Sequence, residues 1–469
     1  MMWVSVLRSI DEVVWGPIML FLLVGTGVFL TFQTKFLCLR NYFKAIKMTL
    51  SKRSQKHGTK GDISPFASLC LSLASTIGTG NIAGVATALA FGGPGSLVWM
   101  WISALFGITT KFAECALSFL YRVKNDKGEY LGGPMLAIKR GIPEIYGKRY
   151  DRPAKYLAII YAIFTAIAAF GIGNLTQGNS ISDVAITLLG SNHGKTALVV
   201  GVLIGVATLF IVIGGVEAIS KVSTKLVPLM AMLYFGGSFI IIGLNISRVP
   251  SAFIAMFRMA FSLTSMSGGI AGSVVANMLQ AMNNGIARGC FSNEAGMGSA
   301  GIICASASGE SHIEQGYIAS TGVFWDTFIV CTGTGLAVLT SGAMDQAVQN
   351  GQTVLKGSSL VMKAFELCLG SWGSYIVGLG IFLFSFSTII GWEVHGEKAL
   401  EYLTHSTKIS FYYRILYSFI AFIGCISAFE VAWYVADILN ALMIVPNVIM
   451  LWLLIKPLRR DLQAYRIHS

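Results

Sequence analysis

Charged side chains are scarce in this sequence. Asp, Glu, Lys and Arg make up 12% of its 469 residues, about half of the roughly 25% that is typical of soluble globular domains. The charges that remain fall between long apolar runs. Hydrophobic residues make up 54% of the chain, and its mean hydropathy is +0.69. This composition excludes a cytosolic enzyme, a secreted disulfide scaffold and a disordered protein. It predicts a polytopic helical membrane protein.

Paired cysteine, metal-binding and catalytic motifs are also missing. The eight cysteines form no C-x-x-C pair, and the six histidines form no metal-spaced pair. No HExxH, G-x-S-x-G or paired-carboxylate pattern occurs, so the sequence predicts neither an enzyme nor a bound cofactor. The net charge of +12 comes mostly from membrane-flanking loops, which favours a role in membrane orientation over nucleic-acid binding.

Eleven apolar segments approach the roughly 20 residues that a helix needs to cross a bilayer. Their approximate limits are 13–33, 65–91, 95–121, 155–189, 196–214, 221–245, 268–309 (long and interrupted), 315–340, 372–403, 411–429 and 431–455. The sequence therefore predicts an all-α integral membrane protein with about 11 transmembrane helices.

The positive charges predict the orientation of these helices. The 34–64 loop carries eight Lys and Arg residues and the 122–155 loop carries nine, whereas the 92–94 connection between them carries none. Because cytoplasmic loops are enriched in Lys and Arg, we expect both basic loops inside the cell. The N-terminus is then outside and the C-terminus cytoplasmic.

Ten of the helices can be divided into two sets of five. We expect four regions: an N-terminal helix and basic cytoplasmic loop (1–64), two five-helix repeats (65–245 and 246–460) and a cytoplasmic tail (461–469). Two odd-numbered sets in tandem must have opposite orientations, which is the inverted repeat of many secondary transporters.

The most informative segment runs from Ser75 to Gly84, with the sequence STIGTGNIAG, inside the second span. Glycines at 78, 80 and 84 each weaken the helix by about 1 kcal/mol relative to Ala. Irregular backbone at membrane depth persists only where it is buried in protein or lines a cavity. The segment predicts a broken helix whose free C=O and N–H groups bind a cation and a carboxylate. Close packing of helices through these glycines is the alternative.

A matching interruption lies between residues 287 and 301, and it contains four glycines and Glu294. A carboxylate at membrane depth faces a cavity or a partner, and Arg288 is the nearest cation along the chain. The alternative places this stretch in a cytoplasmic loop. Lys111 and Glu114, three residues apart on one helix face, are expected to pair with each other.

Two further polar clusters lie within predicted helices. Ser385, Thr388 and Trp392 share one helix face, where hydroxyl groups could complete a sodium shell, or could simply bond their own helix carbonyls. Gln177 follows the motif GIGNLT and is expected to act either as a contact between helices or as a substrate ligand.

Several of these motifs resemble those of the alanine or glycine:cation symporter family, the sodium:alanine symporters of bacteria and archaea. The resemblance covers essentially the whole chain. The motifs that carry it are TIGTGNIAGVA (76–86), GGPGSLVWMW (92–101), TKFAE (110–114), GGP (132–134), FSNEAG (291–296) and FSTIIGW (386–392). The sequence departs from the family pattern at Val98, Gly301 and Glu393–His395, and the last departure puts substrate preference in doubt.

The resemblance implies a LeuT-type fold, a 5+5 inverted repeat preceded by one extra helix. It implies a multi-pass protein in the cytoplasmic membrane of a bacterium or archaeon, with the lipid bilayer, sodium and a small neutral amino acid as partners. The substrate site that it implies comprises Thr79, Gly80, Asn81, Gln177, Phe291, Asn293 and Trp392. The sodium site that it implies comprises Ser75, Gly78, Ser387 and Thr388.

The expected function is therefore sodium-coupled symport of alanine or glycine by alternating access. A proton-coupled or glutamine-preferring transporter of the same fold is the alternative, with Glu294 as the candidate proton carrier. A channel would show a continuous polar stripe through several helices, whereas the polar residues here are clustered. The absence of a charged side chain from the first break favours a zwitterionic substrate.

Overall fold

The computed structural model describes residues 2–56, 58, 60–190, 193–261, 271–349, 352–353, 355–427 and 429–465. Almost all of this chain is helical. The helices before residue 121 are α1 (Met2–Val14), α2 (Pro17–Gln33), α3 (Leu37–Arg40), α4 (Tyr42–Thr49), α5 (Lys52–Gln55), α6 (Pro65–Thr76), α7 (Val85–Gly92) and α8 (Gly95–Leu120).

The middle of the chain continues in the same way. Its helices are α9 (Pro134–Tyr146), α10 (Asp151–Phe170), α11 (Thr176–Leu189), α12 (His193–Val212), α13 (Gly215–Leu244) and α14 (Val249–Phe261). The remaining helices are α15 (Ala271–Asn293), α16 (Ser299–Ala305), α17 (His312–Val323), α18 (Thr332–Ser341), α19 (Ala343–Ala347), α20 (Gly357–Leu369), α21 (Ser371–Thr404), α22 (Ile409–Ile426), α23 (Phe429–Leu453) and α24 (Ile455–Ala464).

Irregular helical turns join several of these helices. The π-helical stretches are Gly80–Gly84, Gly171–Leu175 and Phe324–Cys331, and the 3₁₀ turns are Lys148–Tyr150 and Ile246–Arg248. Two short antiparallel hairpins complete the described structure. They pair β1 (Val123–Lys124) with β2 (Tyr130–Leu131), and β3 (Val348–Gln349) with β4 (Gln352–Thr353).

Local sequence explains where several helices begin and end. Pro65 occupies the first turn of α6, where a missing N–H costs nothing, and the Ser64 hydroxyl accepts a hydrogen bond from the N–H of Ala67. The Ser311 hydroxyl caps α17 in the same way by accepting from the N–H of Glu314.

The structure confirms a multi-pass helical membrane protein. Among the described residues, seven helices are long and apolar enough to cross a membrane, and up to nine if two bent pairs each form one span. Two of the eleven predicted spans are not among these nine. Helix α2, which corresponds to the predicted span 13–33, has only 17 residues. The predicted span 268–309 corresponds to the interrupted pair α15–α16 and lies partly outside the described residues. Large apolar side chains point outward around the bundle, as lipid contact requires; they include Ile18, Phe210, Phe239, Ile254 and Trp372.

The two predicted breaks lie side by side at the centre of the bundle. A Cβ atom at Gly80, in the first break, would lie 3.0 Å from Cδ1 of Phe291, which is near the end of α15. Helix α8 packs against α15, α16 and α17, and α21 packs against α10, α11 and α13. The broken helices are therefore held between continuous ones.

Candidate functional site

The first break is held open by side chains that bond its free N–H groups. Helix α6 and the stretch Gly80–Gly92 meet at an angle of 56°. The N–H of Gly78 donates to Oδ1 of Asn81 (3.0 Å), and the N–H of Thr79 donates to Oε1 of Gln177 (3.3 Å). Because these N–H groups bond side chains and not helix carbonyls, the helix cannot continue through the break.

Carbonyl oxygens just before the break face two hydroxyl groups of α21. The Ser387 hydroxyl lies 3.3 Å from the Ala74 oxygen, and the Thr388 hydroxyl lies 3.2 Å from the Ile77 oxygen. Both hydroxyls also reach the carbonyl of Phe384, at 2.8 and 2.9 Å. These three carbonyl and two hydroxyl oxygens form one buried group, which we call the oxygen cluster.

The hydroxyls of Ser387 and Thr388, which were predicted as sodium ligands, face these carbonyls, and both also bond the Phe384 carbonyl of their own helix. The carbonyls that face them belong to Ala74 and Ile77, each one residue before the predicted Ser75 and Gly78. The Ser75 hydroxyl instead donates to the Ser72 carbonyl in its own helix (2.8 Å). The sequence predicted that carbonyl groups of the first break would bind a cation, but it did not predict the Phe384 carbonyl of α21.

A second group of predicted residues lies next to the oxygen cluster. Gln177 is anchored by a hydrogen bond from its Nε2 to the Ile172 carbonyl (3.0 Å), and Phe291 packs against Gly80. The Thr79 hydroxyl is buried, and among the described residues it has no hydrogen-bond partner. Since a buried hydroxyl is rarely left without a partner, this one is available to a bound ligand.

Asn81 is engaged on both sides of its amide. Its Oδ1 accepts from Gly78, and its Nδ2 donates to Oδ1 of Asp326 at 2.6 Å. Asp326 is 1% exposed and also accepts hydrogen bonds from the hydroxyls of Ser292 and Thr327, both at 2.9 Å. The sequence analysis did not assign Asp326 to the site, although a carboxylate inside an apolar span was a usable signal.

Asn293 is also bound within the protein. Its Nδ2 donates to the hydroxyl of Thr327 (3.1 Å), and its Oδ1 accepts from the N–H of Ala295 (3.0 Å). The structure therefore brings Asn293 to the second break, where its amide ties α15 to the π-helical stretch that contains Thr327.

Trp392 is completely buried and joins α21 to the second break. Its indole N–H donates to Oε1 of Glu294 (2.9 Å), whose other oxygen accepts from the Ser299 hydroxyl (2.5 Å). Glu294 is 1% exposed, so the alternative of a solvated loop does not hold. Arg288 does not neutralise Glu294, because it pairs with Asp437 at 3.1 Å.

Lys111 and Glu114 bind the two sides of the second break, and the expected bond between them does not form. The Lys111 ammonium donates to the Asn293 carbonyl at the end of α15 (2.8 Å). Oε1 of Glu114 accepts from the N–H groups of Gly296 (2.8 Å) and Gly298 (3.2 Å) just before α16. A cation at a helix C-terminus and an anion at a helix N-terminus are each favoured by the helix dipole.

The centre of the bundle is closed in this structure. Thr79, Asn81, Gln177, Thr388 and Trp392 are each no more than 2% exposed. The described residues contain no group of three His, Cys, Asp or Glu side chains that could hold a metal ion. The oxygen cluster consists only of neutral oxygen donors, which suit a hard monovalent cation better than a transition metal.

The chain is similar to known transporters along its whole length. Residues 1–469 match the Sodium:alanine symporter family. The sodium/alanine symporter AgcS of Methanococcus maripaludis is 40% identical over 452 residues, covering 96% of this chain and 95% of that protein. The probable sodium/glutamine symporter GlnT of Bacillus subtilis is 31% identical over 455 residues, covering 97% and 89%.

The fold also resembles that of a solved transporter. The crystal structure of MhsT in complex with L-phenylalanine superposes with a TM-score of 0.58 at 12% identity, covering 84% of this chain and 89% of that one. At this identity the likeness concerns the fold alone, and it supports the predicted LeuT-type architecture. The match over all 469 residues and the 40% identity to a sodium/alanine symporter establish that this chain belongs to the sodium:alanine symporter family.

Proposed function

We propose that this membrane transporter couples the inward movement of sodium to the uptake of small neutral amino acids, alanine or glycine, by alternating access. Membership of the family supports amino-acid symport and sodium as the coupling ion. The observation that carries the proposal for this chain is the oxygen cluster, which lies directly beside the first break.

The oxygen cluster provides the ligands of the sodium site. Its carbonyls, from Ala74, Ile77 and Phe384, and its hydroxyls, from Ser387 and Thr388, come from two different helices, α6 and α21. An ion between them would hold these helices together, and its release would let them separate. Coordination by unwound carbonyls is the way in which transporters with broken helices bind sodium.

The substrate occupies the space next to Thr79 and Gly80. Its carboxylate would replace Gln177 at the N–H of Thr79, and the unpaired Thr79 hydroxyl would give it a further hydrogen bond. Phe291 would close one side of the pocket. Asn81, Asn293 and Trp392 would shape the pocket through the bonds that they already make and would not bind the substrate directly. The first break contains no charged side chain, and this favours a zwitterion.

Regions 65–245 and 246–460 form the two inverted repeats in this proposal, with 1–64 preceding them and 461–469 in the cytoplasm. The N-terminus is outside. The broken helices, α6–α7 and α15–α16, then belong to equivalent positions of the two repeats, as expected where the binding site lies between repeats.

Radiolabelled alanine uptake into proteoliposomes tests the proposal. We expect accumulation under an inward sodium gradient, inhibition of that accumulation by excess glycine, and none under a proton gradient alone. Accumulation driven only by protons would overturn sodium coupling and direct attention to Glu294. No alanine uptake under either gradient would overturn the assignment of the substrate.

Glutamine transport is the second candidate, because the relative from Bacillus subtilis is named a probable sodium/glutamine symporter. Inhibition of alanine uptake by glutamine and by glycine, measured in the same vesicles, distinguishes the two candidate substrates. Stronger inhibition of alanine uptake by glutamine than by glycine would favour the larger substrate.

A further inference from the structure

Two glutamates of α21, Glu393 and Glu397, lie one helical turn apart, away from the proposed substrate and ion sites. They are 0% and 2% exposed. Both carboxyl groups lie beside the same atom, Nε of Arg414, which is 3.9 Å from Oε1 of Glu393 and 2.7 Å from Oε2 of Glu397. Two carboxylate ions cannot bond each other, because both are acceptors; a hydrogen bond between them needs a proton.

The nearest cation, Arg414, already forms hydrogen bonds with Glu397. Arg414 of α22 donates to Glu397 through Nε (2.7 Å) and Nη2 (2.9 Å), and through Nη1 to the carbonyl of Ile213 (2.9 Å). Glu393 lies 3.9 Å from Nε of Arg414, beyond hydrogen-bonding distance. Neither oxygen of Glu393 accepts a hydrogen bond from a donor group among the described residues.

The other charged groups nearby do not neutralise Glu393 either. Lys398, the next cation on α21, lies between Glu129 (3.0 Å) and Glu401 (3.2 Å). Tyr413 and Tyr417 of α22 carry phenol groups, which supply no positive charge, and the Tyr417 hydroxyl donates to the carbonyls of Gly173 and Ile389. Glu393, Glu397 and Arg414 together would carry a net charge of about −1 if both glutamates were ionised, and an unpaired buried carboxylate is costly.

We propose that Glu393 and Glu397 form a proton-binding site that holds one proton in this closed conformation. The proton resides on Glu393 and is donated to Glu397, while Glu397 remains paired with Arg414. This assignment does not depend on which amino acid the protein transports. It differs from proton binding at Glu294, because the oxygens of Glu294 already accept from Trp392 and Ser299.

A route for the proton leads toward the cytoplasmic surface predicted from the loop charges. Arg414, whose side chain is 14% exposed, lines a polar cavity of about 160 Å³ together with residues of the β1–β2 hairpin and the start of α13. Its other ionisable lining residues are Asp62, Lys127, Glu129 and Glu217. Burial raises the pKa of Asp62. Burial also acts to raise the pKa of Glu129, but Lys398, Asn125 and Lys127 together outweigh burial, and the net pKa shift is downward. Water in this cavity can accept the proton when Arg414 moves.

The pH dependence of thermal stability tests the site without reference to transport. The purified full-length protein in detergent is melted at intervals between about pH 6 and about pH 9. We expect the wild-type melting temperature to fall at high pH, because loss of the proton leaves an unpaired buried charge. Glu393→Gln has the size of a protonated glutamate and needs no proton. Over this pH range, the melting temperature of Glu393→Gln should fall by at least about 2 °C less than that of wild type.

Two further variants make the result specific. Glu397→Gln frees Arg414 for Glu393, so it should also weaken the pH dependence, and it provides a second test if Glu393→Gln is not recovered. The matched control is Glu366→Gln, since Glu366 is a half-exposed glutamate on α20, and it should follow the wild type. Parallel curves for wild type and for both α21 variants would overturn the proposal.

Infrared spectroscopy gives an independent measurement. A protonated carboxyl group absorbs separately from an ionised one, so the wild-type spectrum at low pH should contain a carboxyl band that disappears as pH rises. This band should be weaker in the Glu393→Gln spectrum and unchanged in that of Glu366→Gln. An identical band in wild type and Glu393→Gln would also overturn the proposal.

Discussion

Individual polar residues at the centre of the bundle differ in whether the protein already uses their hydrogen-bonding groups. The Thr79 hydroxyl has no partner among the described residues, whereas the two polar atoms of Asn81 are bonded to Gly78 and Asp326. Substitution of a residue such as Thr79 changes ligand binding alone. A residue such as Asn81 also supports the fold, so its loss affects stability as well.

Thr79→Val and Asn81→Ala should therefore differ. Thr79→Val removes one hydrogen bond to the substrate, about 1 kcal/mol or roughly fivefold in affinity, and should leave the melting temperature unchanged. Asn81→Ala leaves Gly78 and Asp326 without their partner, so it should abolish binding and also lower the melting temperature. Alanine binding and thermal melting of both purified variants check this. Normal alanine affinity in Thr79→Val would remove its hydroxyl from the pocket.

Thr388→Ala tests the oxygen cluster. Loss of one hydroxyl ligand should raise the sodium concentration for half-maximal uptake about fivefold, equivalent to about 1 kcal/mol, with a smaller effect on maximal rate. The matched control is Thr340→Ala, because the hydroxyl of Thr340 is buried and bonds only its own helix, at Leu336 (2.7 Å). An unchanged sodium dependence in Thr388→Ala would contradict the ion site.

At the scale of helices, function depends on how the broken elements are supported by continuous ones. Helix α8 binds both sides of the second break through Lys111 and Glu114, and the π-helical stretch Gly171–Leu175 meets α21 where Gly173 packs against Trp392. These contacts fix the geometry of the breaks without being part of the pocket.

Glu114 should be needed for the second break to keep its shape. Glu114→Ala leaves the N–H groups of Gly296 and Gly298 without an acceptor, which costs about 1–3 kcal/mol for each buried group. We expect a lower melting temperature and loss of uptake. Glu114→Gln retains an acceptor oxygen and should be milder in both measurements. Equal melting of wild type and Glu114→Ala would show that these hydrogen bonds are not needed.

Gly173 should tolerate no side chain. A Cβ atom there would overlap Trp392, so Gly173→Ala should separate the π-helical stretch Gly171–Leu175 from α21 and abolish uptake. Gly236→Ala is the control, because a Cβ at that exposed helical position meets no atom within 4 Å. The uptake and the expression level of both variants are measured side by side. Full uptake by Gly173→Ala would show that this contact can adjust.

At the scale of the whole molecule, the charge distribution predicts a topology that accessibility labelling can test. We expect Ser251→Cys to react with a membrane-impermeant maleimide in intact cells, and Lys52→Cys to react only after permeabilisation. Both positions are exposed, and the native cysteines are at least partly buried, which keeps background labelling low. The reverse pattern would invert the proposed orientation.

Sequence alone identified the class of protein because the bilayer imposes a simple composition on any helix that crosses it. It also located both breaks, since clustered glycines and polar residues within an apolar run conflict with a continuous helix. Thr388 and Gln177 were identified as candidates because they are polar residues within apolar spans, and Ser387 was identified from the resemblance to the family. The contact between Gln177 and the first break was not predicted.

Only the tertiary structure decided which groups meet. It paired the hydroxyls of α21 with the carbonyls of Ala74 and Ile77. The sequence could not assign these two carbonyls, because every residue carries the same backbone oxygen. It separated Lys111 from Glu114, since the free ends of a broken helix 182 residues away offered each a better partner. It also placed Arg414 of α22 beside Glu393 and Glu397, where its hydrogen bonds reach Glu397 and not Glu393. Such competition among distant charges depends on packing, which no local pattern records.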